Sequence, residues 1–74
     1  MNQKSLINEG DTRYAAQFVR QQIMNLVASR GDVGATRQEI IRSIRRQPVY
    51  VGQRIDECVA GGELVLTGGV YLKG

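Results

Sequence analysis

The sequence predicts a small α+β domain in which three helices precede a two-stranded antiparallel hairpin. Three observations carry that reading. Apolar residues recur at three- and four-residue steps over 15–27, over 40–44 and over 51–59. Pro48, the only proline, falls between the second and third runs. After residue 60 the residues become β-prone, and Gly68-Gly69 divides the last apolar run in two.

Residues 1–11 are mostly polar and carry no sustained period, so a flexible tail is expected there and a folded domain over 12–74. Either Asp11 or Thr12 serves as N-cap of a first helix that reaches Arg30 without Gly or Pro. Ala15, Phe18, Val19, Ile23, Leu26 and Val27 form its inward stripe, and Gly31 stands at a C-cap position. Asp32 to Ala35 is a connection in which Val33 is the residue expected to form a short strand.

The second helix begins at Thr36. In "TRQE" the Thr36 hydroxyl accepts from the Glu39 amide while the Glu39 carboxylate reaches back to the Thr36 amide, a capping box. Ile40, Ile41 and Ile44 form the stripe of a helix expected over 36–45, with Arg37, Arg42, Arg45 and Arg46 largely off it. Pro48 lacks an amide hydrogen and drives Gln47 out of the helical region, yet suits the first turn of a new helix. That third helix, 48–60, turns Val51, Ile55, Cys58 and Val59 inward and stops at Gly61-Gly62. Gly52 inside it costs about 1 kcal/mol relative to alanine. Close packing of the second helix against it offsets such a cost.

"ELVLTGGVYLKG" supplies the hairpin. Strands at 63–67 and 70–73 meet at Gly68-Gly69, which provide the positive φ angles of a type I′ turn. The turn opposes Thr67 to Val70, Leu66 to Tyr71 and Val65 to Leu72. One face carries Leu64, Leu66 and Tyr71, the other Val65, Val70 and Leu72. Both are apolar, so either can cover the helices.

Seventy-four residues make one domain, with 42% apolar residues to fill a small core. No run approaches the roughly 20 apolar residues of a membrane span. The first residues hold no secretion-signal core and Cys58 stands alone, so a reducing, cytoplasmic setting is expected. Without histidine, and with one cysteine, neither a zinc site nor a Cys-His pair can be assembled. The carboxylates form no acid–base arrangement, and Gly68-Gly69 lacks the strand–loop–helix context of a phosphate loop. No enzyme, cofactor or metal is expected. The net charge is +3, but eight of the ten basic residues are arginines. Arg37, Arg42, Arg45 and Arg46 fall within ten residues and only Glu39 opposes them. That run suits a polyanion, with a solvated helix face as the alternative.

The spacing of Val51, Ile55 and Cys58, "AGGEL" after them and the "TGGVYL" hairpin together resemble winged helix-turn-helix domains, over residues 12–73. The chain departs from that pattern in lacking glycine before the third helix, in carrying Gly52 within it and in its very short wing. The resemblance implies duplex DNA as partner, with helix 48–60 reading the major groove. Val49, Tyr50, Gln53 and Arg54 would then meet bases or sugars, Arg54 forking onto guanine and Gln53 onto adenine. Arg37, Arg42, Arg45, Arg46 and Lys73 would hold phosphate. The implied role is that of a small transcriptional regulator. Two alternatives stay open: a protein-binding adaptor, and a subunit of a replication or recombination complex with little sequence preference. A homodimer or a protein partner would use an apolar wing face or helix 12–30, where Tyr14 and Phe18 lie.

Overall fold

A computed structural model describes the backbone of residues 3–74 and the side chains from Ala15 onward. Three helices come first: α1 (Gln3–Arg30), α2 (Arg37–Ser43) and α3 (Pro48–Ala60). The strands β1 (Leu64–Thr67) and β2 (Val70–Lys73) follow and pair antiparallel. This is an α+β layout consistent with a three-helix winged helix whose C-terminal hairpin is the wing.

The core lies where the three helices meet the hairpin. Val19, Ile23 and Val27 of α1 recur at four-residue steps and are buried against Ile40 and Ile44, against Val51, Ile55 and Cys58 of α3, and against Leu64 and Tyr71 of the hairpin. Full burial of each aliphatic side chain contributes about 1.5–3 kcal/mol. Among the described residues no helix is long and apolar enough to cross a membrane.

α1 begins at Gln3, not at Asp11 or Thr12, so helix covers most of the segment expected as a tail. Residues 3–11 contain no proline, and Gly10 alone weakens a helix by only about 1 kcal/mol. A helix held by its packed residues 19–27 therefore extends backward one bond at a time. Phe18 departs from expectation too: it is 58% exposed, because the inward line of α1 follows Val19, Ile23 and Val27. Val59 at the end of α3 is likewise partly exposed, and Tyr14 lies outside the residues whose side chains are described.

Val33 belongs to a 3₁₀ turn, Gly31–Val33, and the strand-like residue is Ala35. Ala35 exchanges both backbone hydrogen bonds with Tyr71, at 3.1 and 2.7 Å, and so lays a one-residue third strand beside β2. The approach requires Gly34. Its φ is +69°, and a Cβ there would lie 2.5 Å from the Tyr71 carbonyl oxygen.

The capping box forms as the sequence predicts. Thr36 Oγ1 accepts from the Glu39 amide at 3.1 Å, and Glu39 Oε1 accepts from the Thr36 amide at 2.9 Å. α2 then ends at Ser43, two residues early. Ile44 leaves the helix with φ −103° and ψ 118° and is buried. Arg45 and Arg46 consequently lie in the turn between α2 and α3. Gln47 is extended ahead of Pro48, as the proline ring demands, and Pro48 opens α3.

The hairpin register agrees with the sequence: Thr67 faces Val70, Leu66 faces Tyr71 and Val65 faces Leu72. Gly68 and Gly69 both have positive φ. The face of Leu64 and Tyr71 is the buried one. Leu66 shares that side but lies 54% exposed, and Val65 on the other side is 47% exposed.

Candidate nucleic-acid interface

The turn before α3 concentrates cationic charge because of how the arginines are partnered elsewhere. Seven arginines have described side chains, and four form ion pairs. Arg20 binds Glu57 at 2.6 Å, Arg30 approaches Glu39 at 3.6 Å, Arg37 binds Asp56 at 3.0 Å and Arg54 binds Glu57 at 2.8 Å. Arg42, Arg45 and Arg46 form none with another described residue, and all three are exposed. No Asp or Glu occurs between residues 40 and 55. Directly beyond the turn, Val49 is 73% exposed and Gln53, one helical turn later, is exposed too. Arg45, Arg46, Val49 and Gln53 thus put cationic, apolar and amide groups on the exposed surface of the turn and the start of α3.

Arg54 and Tyr50, expected on that surface, are turned back from it. The Arg54 side chain is only 13% exposed. Its guanidinium carbon stands 4.6 Å above the centre of the Tyr50 ring, and Nη2 donates to Glu57 Oε2. Glu57 accepts from Arg20 of α1 through its other oxygen. These contacts tie α3 to α1. Tyr50 packs against the core, and its hydroxyl and Arg54 Nε are enclosed without a hydrogen-bond partner among the described residues. Both side chains are thus partly covered, unlike Val49 and Gln53.

Arg37 belongs to a second network, around Gly52. Its guanidinium lies across α3, where a Cβ on Gly52 would come 2.6 Å from Nη2. The missing side chain makes room for it. Nη1 donates to Asp56 Oδ1 at 3.0 Å and to the Tyr71 hydroxyl at 3.2 Å, while Nη2 reaches Asp56 Oδ2 at 3.4 Å. One side chain therefore joins α2, α3 and the wing. The Asp56 carboxylate, and after it the Tyr71 hydroxyl, raises the Arg37 pKa above its ordinary value. The hydrogen bond from Arg37 in turn holds the Asp56 carboxyl below the usual range. Arg37 is still 43% exposed and Asp56 66%, so the pair sits in high dielectric and contributes at most about 1 kcal/mol.

Lys73 lies elsewhere. It lines a shallow depression with Val27, Ala28, Gly31, Asp32 and Leu72, at the C-terminal end of α1. It ends β2 opposite Leu64, which follows the far end of α3, and α3 itself rises about 20 Å from the arginine turn. The residues that sequence reasoning passed over are Asp56 and the Tyr71 hydroxyl. The first carried a signal, because Asp56 stands four positions after the unexplained Gly52 and therefore on the same face of α3. Among the described residues no group of three His, Cys, Asp or Glu side chains can hold a metal ion. Compared with known proteins, the chain matches no family model, no curated protein and no solved structure.

Proposed function

We propose that this chain binds duplex DNA, laying the outer face of α3 in the major groove as a small cytoplasmic regulator whose role is binding rather than catalysis. The observation that supports this reading is the sorting of the arginines. Among the described residues, the arginines that structure the fold are paired, and the three that are not gather in and beside the turn before α3. Arg45 and Arg46 hold phosphates on either side of the groove, with Arg42 on the next turn. Gln53 reads adenine through its amide and Val49 touches a thymine methyl.

With Arg54 and Tyr50 withdrawn, base reading falls to Gln53 and Val49 alone. The phosphate contribution then dominates and sequence preference is weak. This favours a regulator of low selectivity over a highly selective repressor, and keeps a subunit of a replication or recombination complex as the second reading. A single domain of this size covers a small interface, so stable occupancy calls for a second DNA-bound copy or a partner protein. A protein-binding role of the wing is supported by the exposure of Val65 and Leu66.

Three phosphate contacts give a salt slope near −2.7, and so a loss of roughly 40-fold in affinity between 50 and 200 mM salt. Removing both Arg45 and Arg46 by alanine substitution should bring that slope to about −0.9. Gln53→Ala should leave it unchanged and flatten the sequence preference in a random duplex pool. Equal slopes for the native chain and the Arg45→Ala/Arg46→Ala variant would rule the reading out.

A further inference from the structure

We propose that Asp56 acts as an internal substitute for a DNA phosphate, holding Arg37 away from the duplex and so lowering the affinity for non-specific sequence. The inference rests on the DNA-binding reading above and concerns the regulation of the same surface.

Four observations place these groups. Val49, Gly52, Gln53 and Asp56 are three, one and three residues apart, so they form one stripe of α3, on which Gly52 is buried and the other three are exposed. Arg37 reaches that stripe from α2 and brings its guanidinium over Gly52, Nη2 nearest. The Asp56 carboxylate offers the guanidinium two oxygens, at 3.0 and 3.4 Å, the fork that a phosphate would offer. Both side chains remain open to solvent, so the pair can exchange partners without disturbing the core.

Chemistry then decides what the carboxylate does. A phosphate arriving at the groove edge beside Gln53 meets the Asp56 charge first, and Arg37 is already neutralised by it. The duplex gains no counterion release from an arginine whose charge is compensated within the protein. Removing the carboxylate leaves Arg37 anchored only by the Tyr71 hydroxyl, within reach of the same edge. Asp56 thereby keeps down the sequence-independent contribution to binding. The modest discrimination from Gln53 and Val49 then weighs more.

The test uses the full chain with a short duplex of arbitrary sequence, titrated across 50–200 mM salt. Asp56→Asn should tighten binding about two- to fivefold at the lower salt and steepen the salt slope by about 0.9, the value of one added phosphate contact. The same substitution in an Arg37→Gln background should do neither. Asp56→Ala provides a second removal of the carboxylate, and thermal unfolding verifies that each variant is folded. If the gain persists without Arg37, Asp56 acts by simple repulsion and the substitute role is overturned. It is overturned as well if Asp56→Asn leaves the slope unchanged while the native chain binds through Arg45 and Arg46. If folded native chain and every variant fail to bind duplex at all, the DNA-binding reading itself falls, and this inference with it.

Discussion

Replacing Gly52 with alanine separates two opposed effects that the structure puts at one position. Alanine in a helix interior is favoured over glycine by about 1 kcal/mol. Its Cβ, however, would stand 2.6 Å from Arg37 Nη2, so the guanidinium must move. Moving it breaks an exposed ion pair worth about 0.5 kcal/mol and the bond to the largely buried Tyr71 hydroxyl, worth about 1 kcal/mol. In the native chain Gly52→Ala should therefore destabilise by about 0.5 kcal/mol. In an Arg37→Ala background, where nothing lies over the site, it should stabilise by about 1 kcal/mol. The coupling is about 1.5 kcal/mol, and at roughly 4–8 °C per kcal/mol it is readable in melting temperatures of the four chains. Denaturant titration gives the same quantity independently. An equal effect of Gly52→Ala in both backgrounds would refute the placement of Arg37 across α3.

Three further outcomes follow from local chemistry. Thr36→Ala removes the acceptor that satisfies the Glu39 amide and should cost about 1 kcal/mol, measured by urea unfolding; no loss would mean the capping box is not formed. In acid, two carboxyls matter: Glu39 is held below its ordinary range first by the Thr36 amide, and Asp56 by its hydrogen bond from Arg37. A depressed folded pKa gives stability that is present above the unfolded value of about 4 and lost as pH falls through the folded value. Melting temperature should thus hold from pH 7 to 5 and drop below about 4, less steeply in the Glu39→Gln/Asp56→Asn variant; an unchanged drop would contradict the assignment. Burial, and then the Glu63 charge, pushes the Cys58 thiol from 9.0 up to about 11. The folded protein should resist alkylation at pH 8 and react fully in denaturant, and its stability should decline as pH rises above about 9, since the folded thiol keeps its proton longer. Rapid modification of native protein would show that Cys58 is accessible.

The features legible in the sequence are those fixed by neighbouring residues. Pro48 and Gly61 bound α3, Thr36 and Glu39 cap α2, and Gly68-Gly69 sets the hairpin register. What the sequence concealed depends on distant partners or on helical phase. Ala35 takes the strand position over the more β-prone Val33 because Tyr71, 36 residues later, supplies the hydrogen bonds. α1 has apolar residues over more than one face, and only packing selects the line of Val19 over that of Phe18. The same holds for the site. Gln53 and Arg54 are adjacent, and 100° of helical rotation is enough to leave one exposed and bring the other over Tyr50. The role of Arg37 follows from partners 19 and 34 residues away, of which only the glycine they surround gave any sign.

The central claim is that duplex DNA is met by the arginine turn and the start of α3. Amide and arginine side-chain NMR shifts of labelled protein, followed during titration with a short duplex, test it most directly. The account predicts the largest changes at Arg42, Arg45, Arg46, Val49 and Gln53, and small ones at Arg54, Tyr50 and Lys73. Changes centred on Phe18, Val65 and Leu66, or no change at saturating duplex, would contradict it.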